Sequence, residues 1–270
     1  GAGAEGKRKG SARRLPRSFG GGVAESEAEA EAKRQKRALS LTPIRFHGKY
    51  LYCNEADQVE EACRALLAAG IREFGFDIEW RVFFKKGANQ GKTALLQLCC
   101  CLGGEFSTGA PWSYIDTEGF KSEMAVSGDS FDAGDGAAKE YVCFLFHIHH
   151  SGLTDSLLKI LKDAGIRKFG VNIAGDAKKM ARDFDFEMAG CEDLCHLAAE
   201  NPKTRARYGS RLKFSMADLS RLFMGRPVDK NGKVRLGNWE RNPLDYDKAL
   251  YAATDAFLSL KLKNLITKRE

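Results

Sequence analysis

The stretch Phe74-Gly75-Phe76-Asp77-Ile78-Glu79-Trp80 decides how the rest of the sequence is interpreted. Its apolar and aromatic residues predict a buried strand. Residues two positions apart in a strand point to the same face, so we expect Asp77 and Glu79 to lie side by side. Two carboxylates this close are costly in a low-dielectric interior unless a cation lies between them. The stretch therefore predicts a divalent metal site whose oxygen ligands suit Mg²⁺ or Mn²⁺.

Length and composition predict a globular protein with a substantial core. The chain has 270 residues, of which 43% are hydrophobic and 10% aromatic, and no run of eighteen apolar residues predicts a membrane span. Three of the 8 cysteines are adjacent in the apolar run Cys99-Cys100-Cys101. Neither a secretory signal nor paired Cys-x-x-Cys spacing accompanies them. We therefore expect a reduced, intracellular protein.

The positive charge is concentrated in residues 1–40, which we predict to be a disordered basic tail. This segment contains ten Lys or Arg and five Glu, whereas the remainder contains 33 basic and 31 acidic residues. The clusters Lys7-Arg8-Lys9 and Lys33-Arg34-Gln35-Lys36-Arg37 are consistent with nuclear import or nucleic-acid binding, and equally with a solvated tail. We expect a nuclear location in preference to a cytoplasmic or organellar one. Because the chain opens on Gly1 instead of Met, we also expect the native N-terminus to be missing.

Residues 41–270 are expected to form one α/β domain with a mixed sheet that is antiparallel at one side. The predicted strands are 44–52, 74–80, 93–102, 141–146 and 167–173. The predicted helices are 55–69, 153–164, one that starts near Asp176, 215–224 and 245–268. Residues 103–139, rich in Gly, Ser and Asp, are predicted to be a long flexible insertion between two strands, with a functional flap or partner site as the alternative.

Two more carboxylates and a tyrosine are candidates for the same metal site. Asp176 follows a strand at a helix start, where a simple N-cap is the alternative explanation. Tyr251 and Asp255 lie one turn apart on the last helix, among alanines that indicate close packing, although an exposed Asp is the alternative. Two metal ions held by such carboxylates can position the attacking and leaving oxygens of an in-line phosphoryl displacement. A tyrosine hydroxyl nearby can orient the attacking water.

The ordered motifs Asp77-Ile78-Glu79, Asn172-xxx-Asp176 and Tyr251-xxx-Asp255 resemble the three exonuclease motifs of the DEDDy 3′→5′ exonucleases, within the ribonuclease H-like superfamily. The similarity is closest to the Werner syndrome protein's exonuclease domain and its stand-alone relatives. The resemblance implies a DnaQ-like α/β fold with a mixed five- to six-stranded sheet flanked by helices. It also implies release of 5′-mononucleotides from the 3′ end of DNA, RNA or both, with two Mg²⁺ or Mn²⁺ ions.

The resemblance further implies a role for each site residue. Asp77 would bridge the two metal ions, and Glu79 and Asp255 would complete the tighter site. Asp176 would hold the second ion, and Tyr251 would orient the attacking water. The five residues are the predicted catalytic set, and the four carboxylates are the predicted metal ligands.

Aromatic, amide and basic residues near the motifs are predicted to contact nucleic acid. Phe83 and Phe84, followed by two lysines, suit base stacking and phosphate binding, although packing phenylalanines beside solvated lysines are an equal alternative. The full predicted set is Trp80, Phe83, Phe84, Lys92, Asn172 and Arg235. A plain surface lysine is the alternative for Lys92, and an ion pair with Asp245 or Asp247 is the alternative for Arg235. A protein partner, if there is one, is expected at the insertion or the tail.

The sequence fits other functions less well, and it departs from the family pattern at two places. A non-catalytic nucleic-acid-binding subunit would retain the fold, but the intact carboxylates favour an enzyme. A nucleotidyltransferase usually has a Gly-Ser turn before its acidic pair, and Arg72-Glu73-Phe74-Gly75 provides none. Zinc at His147-Ile148-His149-His150 is disfavoured because no cysteine pair of zinc spacing accompanies it. The departures are the length of the insertion and Ala177-Lys178, where a bulky or aromatic residue is expected.

Overall fold

The computed structural model describes Gly1 and residues 42–83, 90–102, 115–116, 140–229 and 231–268. The strands are β1 (Lys49–Cys53), β2 (Glu73–Trp80), β3 (Thr93–Leu102), β4 (Ile115–Asp116), β5 (Glu140–Phe146), β6 (Arg167–Gly170) and β7 (Cys191–Asp193). The helices are α1 (Ala56–Ala68), α2 (Ile148–Ser151), α3 (Asp155–Lys162), α4 (Ile173–Phe184), α5 (Leu194–Glu200), α6 (Pro202–Tyr208), α7 (Met216–Met224), α8 (Gly232–Arg235) and α9 (Tyr246–Thr267). None of the described helices combines the length and apolar composition that crossing a membrane requires. Apart from Gly1 and residues 115–116, the predicted tail and insertion lie outside the described residues, and both stay predictions.

The described strands form one mixed sheet in the order β4-β1-β5-β3-β2-β6-β7. This confirms the predicted α/β mixed sheet, with six strands beside the two-residue edge strand β4. The expectation that the antiparallel strands lie at one side was wrong. β3 is antiparallel to both β2 and β5 in the middle of the sheet, while β1–β5, β2–β6 and β6–β7 are parallel pairs. The reason is that β5 pairs with the first strand, β1, which places the β2–β3 hairpin at the centre.

The predicted helix boundaries agree with α1, α3, α7 and α9 to within two residues. The first strand is shorter than expected, because it begins at Lys49. Ile44 instead forms an isolated parallel bridge with Val228, and its backbone N–H donates to the carbonyl of Pro227 at 2.9 Å. The short elements α2, α5, α6, α8, β4 and β7 had no counterpart in the sequence-based expectation.

β2 has different neighbours on its two faces, because side chains alternate along a strand. Phe74, Phe76 and Ile78 join a buried apolar cluster that includes residues of α1, α3 and α4. Asp77 and Glu79 point to the opposite face, which α9 covers. One strand therefore contributes both to the core and to the predicted metal site.

Gly75 allows the backbone of α9 to lie directly against β2. A Cβ atom at this position would be 2.7 Å from the backbone nitrogen of Leu260 and closer still to the carbonyl oxygen of Ala256. On the helix side, Ala252, Ala253 and Ala256 are fully buried. Small residues on both elements thus bring the helix close to the strand that carries Asp77 and Glu79.

Candidate active site

Three carboxylates from distant parts of the sequence converge where α9 crosses β2. Asp77, Glu79 and Asp255 each offer an oxygen atom, and these oxygens all lie within 4.8 Å of one another. Glu79 is only 8% exposed, and the other two are partly buried. Among the described residues, no other cluster of three His, Cys, Asp or Glu side chains has metal-binding spacing. The structure therefore places these three predicted ligands together, as the strand and helix patterns indicated.

Asp176 approaches the same cluster from α4. It lies in the first turn of this helix, whose N-cap residue, Asn172, has a left-handed conformation with φ of 60°. Burial, together with the negative charges of Asp77 and Asp193, raises the pKa of Asp176 to about 8. Asp176 is thus a neighbour of Asp77 but does not belong to the group within 4.8 Å.

The pKa values of the carboxyl groups in the cluster are raised, which favours the neutral form of each group. Burial raises the pKa of Asp77 to about 6, against a hydrogen bond at 2.9 Å from the backbone N–H of Ile78. Burial also raises the pKa of Glu79, and the charges of Asp77 and Asp255 add to that effect. The pKa of Asp255 is raised by burial and then by Asp77. A divalent cation with a preference for oxygen ligands fits this donor set, because it removes the repulsion between the carboxylates.

Tyr251 lies one turn before Asp255 on α9, so the two side chains lie on the same face of the helix. Burial raises the pKa of the phenol, and the charges of Asp255 and Glu79 raise it further. The hydroxyl therefore stays protonated beside the acidic cluster. It is placed to make a hydrogen bond to a water molecule held there.

Arg235, at the end of α8, is a predicted nucleic-acid-binding residue whose charge acts on the cluster. Its positive charge lowers the pKa of both Glu79 and Asp255, which opposes the larger effects of burial and like charge. The carbonyl of Arg235 accepts a 2.9 Å hydrogen bond from the indole of Trp239. The ring of Trp239 lies 6.2 Å from that of Tyr251, measured between centroids. Arg235 is thus linked to the site, although its contact with nucleic acid stays a prediction.

The other residues predicted to bind nucleic acid have varied surroundings. Trp80 points to the face opposite Asp77 and Glu79, and Lys179 Nζ lies 4.8 Å from its ring centroid, which does not favour base stacking there. Phe83 is 41% exposed beside Arg81, which suits stacking. Asn172 is exposed at the start of α4. Lys92 Nζ lies 5.9 Å from the Phe184 ring, and Phe84 lies outside the described residues.

Sequence reasoning missed Gln97, which is the cross-strand partner of Asp77. Directly paired residues project from the same face of a sheet, so the amide of Gln97 lies beside the acidic cluster. The side chain is fully buried, and neither its oxygen nor its nitrogen has a hydrogen-bond partner among the described residues. A single polar residue within the otherwise apolar run of residues 94–102 was the available signal.

Sequence reasoning also missed the role of His147, which it considered only as a zinc ligand. The ring is fully buried and lies between the side chain of Tyr52 and the carbonyl of Trp239. Both ring nitrogens are therefore used in hydrogen bonds within the protein.

Fold and site together define an α/β protein with an acidic centre whose oxygen atoms suit a divalent cation. A family model described as "3'-5' exonuclease" matches residues 116–269. The chain belongs to this 3′-5′ exonuclease family, and it is a hydrolase of that type. The predicted family resemblance is thereby confirmed, and with it the use of divalent metal ions.

Relatives and solved structures agree with this assignment. A 3′-5′ exonuclease of Arabidopsis thaliana is 28% identical over 262 residues, which cover 94% of this chain and 75% of the relative. The mouse bifunctional 3′-5′ exonuclease/ATP-dependent helicase WRN is 29% identical over 84% of this chain, which spans only 13% of that protein. A structure of Trypanosoma brucei RNase D in complex with RNA U12 has a TM-score of 0.55 at 18% identity, with 88% of this chain and 67% of the other covered. This similarity shows that the chain and Trypanosoma brucei RNase D share a fold.

Proposed function

We propose that the chain removes 5′-mononucleotides from the 3′ end of DNA or RNA by hydrolysis that depends on two divalent ions, Mg²⁺ or Mn²⁺. The observation that carries the proposal is the convergence of Asp77, Glu79 and Asp255 within 4.8 Å. Three such carboxylates on a rigid strand and helix form a preorganised oxygen site.

The residues present fit the ions that the proposal requires. Asp77, Glu79 and Asp255 would hold one ion, and Asp176 would hold the second together with Asp77. When bound, two ions neutralise charge on the phosphodiester and lower the pKa of the attacking water. The protein's part is to fix the carboxylates in place, which the packing of α9 on Gly75 achieves.

Tyr251 has a separate part in the proposed reaction. Because its hydroxyl stays protonated, it can donate one hydrogen bond and accept others, and so orient the water for attack. It does not act as the base, since a phenol of raised pKa holds its proton.

The proposed substrates include both DNA and RNA. The Trypanosoma brucei neighbour was solved with RNA, which supports nucleic acid in general. A nuclear location rests on the basic clusters at Lys7-Arg8-Lys9 and Lys33–Arg37, which lie outside the described residues. A non-catalytic subunit with the same fold is not favoured, because the acidic cluster and Tyr251 are all in place.

The proposal is tested with DNA and RNA oligonucleotides of matched sequence, labelled at the 5′ end and incubated with Mg²⁺ or Mn²⁺. We expect a ladder that shortens from the 3′ end with the parent, and loss of most activity with Asp77→Ala. The matched control is Asp57→Ala, which removes an exposed carboxylate from α1. Equal activity of the parent and Asp77→Ala would refute the metal assignment. A parent that degrades neither oligonucleotide would refute the function.

A further inference from the structure

The segment of residues 235–242, here called the Trp239 segment, is held by side chains donating to its backbone carbonyls. His147 Nε2 lies 2.9 Å from the carbonyl oxygen of Trp239, and His150 Nε2 lies 2.9 Å from that of Glu240. The indole nitrogen of Trp239 donates to the carbonyl of Arg235 at 2.9 Å. Three carbonyls within six residues thus receive side-chain hydrogen bonds, one at the last residue of α8 and two in the segment that follows it.

His147 is the buried member of this set, and its tautomer follows from its partners. A carbonyl oxygen can only accept, so Nε2 carries the proton toward Trp239. Nδ1 then accepts from the hydroxyl of Tyr52 at 2.5 Å. Burial lowers the pKa of His147 to about 4, and the neighbouring His150 contributes in the same direction. The ring is therefore neutral near pH 7 and keeps this arrangement fixed.

Two contacts of Trp239 connect the hydrogen bonds of His147 to the carboxylate cluster. One contact is made by the ring of Trp239, which is fully buried and packs near Tyr251. The other contact is the hydrogen bond from its indole to the carbonyl of Arg235. The guanidinium of Arg235 has no ion-pair partner among the described residues, since none of the ion pairs found there includes it.

We propose that Arg235 binds the phosphate of the terminal nucleotide and that His147 is a positioning residue, which holds Arg235 at the carboxylate cluster through the backbone and ring of Trp239. The inference rests on the proposed exonuclease function, because it assigns a phosphate to the same site. An unpaired guanidinium beside an acidic cluster suits an anion that must approach that cluster, since it offsets the repulsion between phosphate and carboxylates.

Binding of a 5′-mononucleotide, the expected product, tests the inference without turnover. Dissociation constants of the 5′-mononucleotide are measured by calorimetry with Mg²⁺ present for the parent, Arg235→Gln, His147→Leu and the double variant. We expect each single variant to weaken binding about tenfold. We expect the double variant to be no weaker than Arg235→Gln, because His147 acts through Arg235.

A purely structural role of His147 would give a different pattern. In that case His147→Leu would weaken binding by the same factor with and without Arg235, which would overturn the inference. His147→Gln retains a donor for the carbonyl of Trp239 and should restore at least part of the affinity. Because His147 is buried, Tyr52→Phe provides a milder variant. It removes only the hydroxyl that contacts Nδ1 of His147 and Oδ1 of Asn242, and it should follow the same non-additive pattern.

Two further results separate this inference from the proposed function. A parent that binds no 5′-mononucleotide overturns the assignment of Arg235, even if the oligonucleotide assay succeeds. A parent that binds the mononucleotide with the expected pattern but degrades no oligonucleotide refutes only the exonuclease function. Nucleoside without phosphate serves as the control ligand, and its affinity should not respond to Arg235→Gln.

Discussion

At the scale of single residues, the hydroxyl of Tyr251 takes part in the proposed reaction, although it is not a metal ligand. Tyr251→Phe should lower kcat by about 10²-fold, since loss of water orientation has effects of that order. Metal affinity, measured by calorimetry, should stay at the parent value because all four carboxylates remain. Unchanged turnover would remove Tyr251 from the mechanism.

Gln97 allows a second prediction at this scale. Its buried amide lacks partners among the described residues, and an unsatisfied buried polar group costs about 1–3 kcal/mol. Gln97→Met, which keeps the volume, should therefore raise the free energy of unfolding by about 1 kcal/mol in urea titrations with EDTA. Because Gln97 is the polar neighbour of Asp77, activity should fall at the same time. A variant that is less stable than the parent would show that the amide is satisfied.

The sequence was informative for residues whose chemistry is visible locally. Asp77 and Glu79 could be paired from strand periodicity alone, and Tyr251 and Asp255 from helix periodicity. The roles of His147 and Gln97 could not be inferred in this way. The carbonyl that His147 contacts lies 92 residues further along the chain, and the neighbour of Gln97 is set by the register of the β2–β3 hairpin.

At the scale of elements, the contact between β2 and α9 sets the distance between the catalytic carboxylates. Gly75→Ala would place a Cβ against the backbone of Ala256 and Leu260, so strand and helix must separate. We expect a loss of about 1–3 kcal/mol in the free energy of unfolding, typical of overpacking, together with weaker metal binding. Chemical denaturation and calorimetry measure the two effects.

Gly232→Ala is the control for this substitution, because a Cβ at position 232 meets no atom within 4 Å. It should leave stability at or slightly above the parent value. If Gly75→Ala behaved like the control, the close approach of α9 to β2 would not be required.

Helices α1, α3, α7 and α9 could be predicted because their caps and apolar periodicity are local features. Asp245, for example, accepts a hydrogen bond from the backbone N–H of Lys248 and starts α9 where the sequence indicated. The order of the strands could not be predicted. The parallel pairing of β1 with β5 joins residues about ninety positions apart, and no short-range pattern specifies it.

At the scale of the whole molecule, stability should depend on pH through the acidic cluster. The pKa values of Asp77 and Asp176 are raised from 3.8 to about 6 and about 8. The metal-free folded state therefore holds more protons than the unfolded state between about pH 4 and 8, and the free energy of unfolding should fall as pH rises through this window.

Divalent ions should reverse this trend, because they bind the deprotonated carboxylates. The increase in Tm caused by Mg²⁺ or Mn²⁺ should be larger at pH 8 than at pH 5.5, and EDTA should abolish it. Thermal denaturation across pH with and without metal measures both effects. The same shift in Asp77→Ala as in the parent would place the metal elsewhere.

The insertion gives a further prediction for the whole domain. Deletion of residues 106–136 removes β4, which pairs with β1 through only two residue pairs at the sheet edge. The remaining strands keep their partners, so we expect a folded and active protein. Size-exclusion chromatography and the oligonucleotide assay would reveal an integral role as aggregation or loss of activity.

The position of α9 over the sheet also determines what happens to truncated products. A chain terminated before Tyr246 would lack Tyr251 and Asp255, and it would leave the apolar side chains of Leu95 and Leu145 uncovered. Premature stop codons upstream of this helix should thus yield polypeptides that chaperones and proteases remove. They should not yield stable inactive forms that compete with the enzyme for the 3′ ends of nucleic acids.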